Sequence, residues 1–430
     1  MRLENSTVDA GNDLIQIRFD HRVLFGFLIL TSVMNAVILF IPWKEIMAGK
    51  NDFPVFYSSA QMVHEGQASH LYDFDAENRF VHRVSDVTRA PNNHLPYELL
   101  IFVPLTFLRF GAAHIAWTLL SMAMLVGVAL MTRNIGPGAL SFATTLLTIL
   151  AFFPVWYCLL QGQDSILLLF LFTFSFWLWK RGQDDLAGFV LARGLFRPQL
   201  VLPFAFVVFL AGKWKFIRGF IPGAILALLA STWVVGLHGM AEYGKVLISQ
   251  GTESSASALA KQWQVRPGLM ATWRGFLWVC LPTWVPGGVR NGLLLSGTFA
   301  GLFWAGKKLR AAKDRLSLEL AFAFAVAAVA LVSFHSFLND FSLLVLPLLI
   351  FGACLAAPYY VQRKTAHLVV TLAFSFFLTP LYLLLLAADR VGLFLTIELA
   401  ALWLVSRTVG NLSAGKLEPE SAAAISAAVA

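Results

Sequence analysis

Long apolar runs separated by short turns, alternately basic and non-basic, set the pattern of this chain. The first run, Val23 to Trp43, follows Arg18 and Arg22. At about 1.5 Å per residue it is long enough to cross the hydrocarbon. No small-residue cleavage site separates it from the next polar stretch, so it reads as a first transmembrane helix behind a short cytoplasmic N-terminus. Lys44 to Pro96 is too charged to span. Within it, Val55–Glu65 and Ala76–Val87 have the mixed apolar spacing of short helices lying along a membrane surface.

Tyr97–Leu108 carries Pro104 and is too short to span, whereas Ala112–Thr132 crosses inward. Leu140–Leu160 returns outward to Gln161-Gly162-Gln163-Asp164, and Ser165–Trp179 leads back to Lys180-Arg181. Leu186–Phe196 and Leu200–Gly212 are each short and share basic flanks, which predicts a hairpin entering from the cytoplasm and broken at Arg197-Pro198-Gln199. Broken backbone at membrane depth needs cover from protein or a water-filled cavity, so Arg197 is expected to face such a cavity. Phe220–Gly236 exits into a second long polar loop. Asn291–Ala305, Leu316–Val332, Phe341–Ala357, His367–Leu386 and Val391–Val405 follow.

The expected fold is therefore all-α and polytopic, with about eleven or twelve transmembrane helices at roughly 20 residues per span. Residues 1–22 form the cytoplasmic N-terminus and 23–407 a single transmembrane domain. Its extracytoplasmic loops are 43–96 and 237–289, and 408–430 is a disordered tail rich in Ala and Ser.

Composition sharpens this picture. Hydrophobic residues make up 58% and charged residues 13% of the 430. That is about half the charge a soluble domain carries, too little to cover a water-facing surface. The net charge of +8 falls largely in short loops, as the positive-inside bias requires, and not in an aromatic-interleaved patch for nucleic acid. Cys158, Cys280 and Cys354 are far apart and have no metal-ligand spacing.

Polar residues among apolar surroundings are the candidates for chemistry. Asp52, in Asn51-Asp52-Phe53-Pro54, reads either as a helix N-cap or as a general base held at the membrane surface. In Ser333 to Asp340, His335 suits hydrogen bonding to an anionic leaving group, and Asp340 suits orienting neighbours or capping a helix. Arg274, in Thr272-Trp273-Arg274-Gly275, has the planar fork that suits a phosphate, or else snorkels at the interface. Arg197 and the pair Asn93-His94 have the same two readings. Gln161 to Asp164 offers amides and one carboxylate that serve equally as caps or ligands. Asp73-Phe74-Asp75 fits a metal-diphosphate triplet, but so short a pattern has low specificity. No P-loop, HExxH or GxGxxG occurs.

The order of these motifs resembles glycosyltransferase family 87, polyprenol-phosphate-mannose-dependent mannosyltransferases of the GT-C superfamily. The likeness rests on Asp52-Phe53 with Tyr57, Ala60, Gly66 and Leu71-Tyr72-Asp73. It continues through Pro96-Tyr97, Pro104-Leu105, Trp117, Gly162-Gln163, Ala187-Gly188, Thr272 to Gly275 and the Ser333-to-Asp340 block. It runs from the first helix to about Pro347. Arg197-Pro198 stands where the family often has Lys-Pro, and Asn93 to Glu98 departs from the usual Tyr-Pro-Pro.

The resemblance implies a GT-C-like fold and an inverting transfer of a hexose, mannose in the family, from a polyprenyl-phosphate donor to a lipid or glycan acceptor. Asp52 would be the catalytic base. Arg274, His335 and Arg197 would hold the donor phosphate, and Tyr57, His94, Gln163 and Asp340 would contact substrate. No cofactor and no metal is expected, and the partners are donor, acceptor and membrane lipids, not nucleic acid. The expected location is the inner membrane, multi-pass, with the site extracytoplasmic. The alternative is a secondary transporter or lipid flippase, for which paired inverted repeats are wanting.

Overall fold

The computed structural model describes residues 2–4, 14–18, 21–88, 92–135, 140–251, 266–356, 360–362, 374–401 and 403. Apart from one small sheet, the described body is helical, an all-α fold. Helices at His21–Phe40, Phe110–Thr132, Trp214–Gly251 and Arg315–Val332 each contain a stretch long and apolar enough to cross a membrane. A fifth candidate is the pair Phe142–Ala151 and Phe153–Gln161, bent by 65°. Most of the other expected spans are apolar helices of 10–17 residues, among them Ser165–Trp179 and Pro198–Leu210. The Thr252–Ser255 part of the second loop, the start of the His367–Leu386 run and the 408–430 tail lie outside the described residues.

The bend in Leu140–Leu160 was not expected, because the run reads as a single span. Pro154 has no N–H to continue the ladder, so the helix restarts at Phe153. Carbonyl groups at the break are met by a side chain of the first helix. Asn35 Nδ2 donates to the Ala151 carbonyl at 3.0 Å, and Thr379 Oγ1 donates to Asn35 Oδ1 at 2.6 Å. A polar atom at membrane depth is thereby satisfied within the protein.

The expected hairpin is present as Asp184–Ala192 and Pro198–Leu210, joined by turns that end at Arg197. Glycines bring the first of these helices against Trp214–Gly251. A Cβ on Gly188 would fall on the Phe216 carbonyl, and one on Gly219 would fall on the Asp185 carbonyl. Small residues allow this approach, as is usual for helices packed in lipid. The Trp214–Gly251 helix breaks at Gly236, where φ is 72° and ψ is 176°, the position at which the apolar run ends.

In the first loop, Phe53–His64 lies deeper than a surface helix. Phe53, Phe56, Tyr57, Ser58, Ser59, Ala60 and Met62 are all buried. A three-stranded antiparallel sheet, unexpected from the sequence, pairs Arg2–Glu4 with Leu14–Arg18 and the latter with Tyr360–Gln362.

Candidate active site

Asp52 sits at the N-cap position of Phe53–His64, yet its side chain makes no capping bond. Its carboxylate instead accepts a hydrogen bond from Gln163 Nε2 at 2.8 Å, while its backbone N–H donates to the Gln161 carbonyl at 3.2 Å. The neighbouring Asn51 Nδ2 donates to the Leu160 carbonyl at 3.0 Å and lies 2.9 Å from His114 Nε2. The turn that makes this possible needs Gly162. Its φ is 65°, and a Cβ there would strike Phe53. Trp117, from Phe110–Thr132, donates to the Gln163 carbonyl at 3.4 Å.

Gln163 links Asp52 to a buried ionic network. Its Oε1 accepts from Arg197 Nη2 at 2.6 Å. Arg197, at the start of Pro198–Leu210, is 4% exposed and pairs with two carboxylates. Its Nε donates to Asp164 Oδ1 at 3.0 Å, and Nη1 lies 3.3 Å from Asp340 Oδ1. Asp340 also accepts from Ser165 Oγ at 2.8 Å, Ser336 Oγ at 3.2 Å and the Phe337 N–H at 3.1 Å. The guanidinium that the sequence left facing a cavity is thus engaged on every nitrogen by protein.

His94 enters from the first loop. Its Nδ1 lies 2.7 Å from Glu98 Oε2 and 3.2 Å from Asp164 Oδ2. Its backbone is held by Asn92 Oδ1, which accepts the His94 N–H at 3.0 Å, and by the Tyr72 hydroxyl, which donates to the His94 carbonyl at 2.8 Å. Burial, with Arg197 adding to it, lowers the His94 pKa to about 3 against the opposing pull of Asp164, so the ring is neutral at pH 7. Burial alone would raise the Asp164 carboxyl, but Arg197 and His94 bring it well below the usual range. Glu98 goes the other way, pushed up by burial and by Asp164 beside it.

Arg274 and His335 complete the group. Arg274 is buried at the start of Trp273–Cys280, where Nη1 donates to the Phe334 carbonyl at 3.0 Å. The next residue, His335, lies edge-on to Phe337, and its Nδ1 is buried with no hydrogen-bond partner. Burial first, then Arg274, Arg197 and His94, lowers its pKa to about 3. A neutral imidazole presents one donor and one acceptor.

Seven of the eight sequence-derived candidates therefore meet: Asp52, His94, Gln163, Arg197, Arg274, His335 and Asp340. Tyr57 stands apart, its hydroxyl donating to the Leu108 carbonyl at 2.7 Å and its ring packing on Phe53 and Phe110. The Asp73-Phe74-Asp75 triplet is a helix cap, with Asp73 Oδ1 accepting from the N–H groups of Asp75 and Ala76 at 3.0 and 2.9 Å. Sequence reasoning missed Glu98. It also missed Glu77, which holds the Asn92 N–H with both carboxylate oxygens at 3.0 and 2.9 Å, and Tyr157, close enough to Asp52 to interact electrostatically.

A multi-pass helical membrane protein with a buried ionic network behind one half-buried carboxylate is the class these features define. The model of glycosyltransferase family 87 matches residues 96–333, and the chain belongs to that family. It is accordingly a glycosyltransferase. The match is narrower than the resemblance seen in the motifs: Asp52 precedes it, and His335 and Asp340 follow it. No curated protein and no solved structure matches the chain.

Proposed function

We propose that the protein transfers a hexose, mannose by family likeness, from a polyprenyl-phosphate donor to a lipid or glycan hydroxyl on the extracytoplasmic face of the inner membrane, with inversion. The observation that carries this reading is the contact of Asp52 with Gln163. It ties a half-buried carboxylate outside the family-matched segment to Gln163, Asp164 and Arg197 within it. Asp52 is the carboxylate joined to that network that has solvent access, and its side chain caps no helix.

In this mechanism Asp52 takes the proton of the acceptor hydroxyl, whose oxygen attacks the anomeric carbon. The bond from that carbon to the donor phosphate oxygen breaks, and the polyprenyl phosphate leaves with the electron pair. Arg274 supplies positive charge and His335 a hydrogen bond to the leaving phosphate. Arg197 acts at one remove, because Asp164, Asp340 and Gln163 already occupy its donors. It orients Gln163 against the base instead of holding phosphate. Membership of a transferase family displaces the transporter alternative.

Purified protein given a radiolabelled polyprenyl-phosphate mannose and a membrane-lipid extract tests the reading. Asp52→Asn should retain its fold and lose about 10²–10⁴-fold in transfer rate, the range of general base catalysis. Equal transfer by both forms removes Asp52 from the mechanism. Failure of the wild type with this donor, but success with another activated sugar, removes the donor assignment.

A further inference from the structure

We propose that His94, Glu98 and Asp164 form a binding site for one divalent cation of the Zn²⁺ or Mn²⁺ type, buried behind Asp52. The inference does not rest on the role given to Asp52. One ligand atom from each of the three residues lies within 4.8 Å of the others. His94 Nδ1 faces two carboxylate oxygens at once, 2.7 and 3.2 Å away. A single ring nitrogen carries one proton or one lone pair, so it cannot satisfy both with well-aligned bonds. A cation with bonds of about 2.0–2.2 Å holds its ligand atoms roughly 3–3.5 Å apart, so the His94–Asp164 pair already has that spacing and the His94–Glu98 pair would open slightly.

A separate observation points to a ligand. Glu98 is fully buried, and its second oxygen, Oε1, has no hydrogen-bond partner. A carboxyl oxygen left bare in the interior is disfavoured unless something covers it. Charge gives the same direction. Asp164 and Asp340 contact one guanidinium, that of Arg197, while Glu98 beside them meets only His94 among basic side chains, and none of the three carboxyls is more than 1% exposed. A dication would balance the excess of buried carboxylates.

Arg197 is compatible with this site. It binds Asp164 chiefly through Oδ1, which leaves Oδ2 turned toward His94. A carboxylate fixed by an arginine through one oxygen and ligating through the other is the usual support of a metal ligand. One imidazole nitrogen and two carboxylates suit Zn²⁺ or Mn²⁺, whereas Ca²⁺ seeks six to eight oxygens. The cation would lock Asp164, and through it Arg197 and Gln163, in the arrangement that meets Asp52.

The test uses the purified full chain in detergent, stripped with EDTA and then exposed to MnCl₂ or ZnCl₂. Metal retained after desalting is measured by mass spectrometry, and thermal unfolding is followed in parallel. The expected result is near-equimolar retention with a raised unfolding temperature. Glu98→Gln and Asp164→Asn should lose both effects, whereas Asp73→Asn and Asp52→Asn should keep them. Wild type that retains neither metal overturns the proposal even if a variant fails to fold. So does equal retention by Glu98→Gln, and in either case protons, not a cation, balance the carboxylates. Because retention is read without turnover, loss of activity in Asp52→Asn leaves it unaffected.

Discussion

Glu77 shows how a residue hidden from sequence reasoning acquires a measurable property. It lies in Phe74–Val81, 1% exposed, and accepts from Ser59 Oγ and the Asn92 N–H. Burial pushes its pKa from 4.5 to about 8, although the bonds from Ser59 and Asn92 pull it down. A carboxyl raised in the folded state contributes stability below its unfolded pKa and loses it as pH rises through the folded value. His94 and His335, lowered from 6.5 to about 3, contribute fully above 6.5 and lose stability as pH falls toward 3. From pH 6.5 to 8, of these three only Glu77 titrates. Thermal stability should therefore fall over that interval, with a slope of up to about 1.4 kcal/mol per pH unit. Glu77→Gln should make the decline shallower without abolishing it, because Glu98 is raised as well, and a wild-type profile already flat there contradicts a protonated Glu77. Asp52, His335 and Arg274 were legible because each is polar among apolar neighbours. Glu77 was not, since it sits among other polar residues of the first loop, whereas Glu98, between Tyr97 and Leu99, met the same criterion and was passed over. Their burial follows from segments far apart in sequence, as when Arg197 meets an Asp164 that lies 33 residues earlier.

At the scale of elements, apolar runs located the helices well, and breaks were legible where the run itself stopped. Ser165–Trp179 lies where the run predicts it, and the hairpin turns at Arg197. The bend before Pro154 escaped notice because apolar content continues through it, and hydropathy does not sense a missing N–H. Helix pairing was also invisible, because it depends on glycines whose faces only the fold defines. Gly219 lies so close to Asp185 that a Cβ has no room, whereas Gly26 has nothing within 4 Å of the same added atom. Gly219→Ala should thus destabilise by about 1–3 kcal/mol through overpacking against backbone. It should also disturb transfer, because the displaced Asp184–Ala192 helix leads to Arg197. Gly26→Ala should be neutral, or stabilising by up to about 1 kcal/mol from helix propensity. Thermal unfolding of the two variants beside wild type decides this. Equal behaviour would mean that the glycine contact does not set the packing.

For the whole molecule, two charged clusters bracket the Ser165–Trp179 helix, which at about 1.5 Å per residue separates them by roughly 22 Å. The network around Asp164 and Arg197 lies at one end. At the other, Lys180 and Arg315 reach Glu319, and both approach the Asn134 carbonyl at 3.4 and 3.5 Å. Short basic loops, with Arg133, Lys180, Arg181 and the Lys307-to-Arg315 cluster, gather at this second end. The sheet joining Leu14–Arg18 to Tyr360–Gln362 could not be read from the sequence, because its strands come from opposite ends of the chain. It brings Leu14–Arg18 and Tyr360–Gln362 together. The first long loop also carries Lys44, Lys50, Arg79 and Arg83, but long segments translocate largely regardless of charge, so the short loops decide orientation. The Asp52 end should then face outward. In a background without cysteine, Asp86→Cys, exposed in the first long loop that also carries Asp52, should react with a membrane-impermeant maleimide in intact cells. Lys307→Cys, exposed at the basic end, should react only after permeabilisation. The reverse pattern would place the network in the cytoplasm, where a polyprenyl-linked donor facing outward could not reach Asp52.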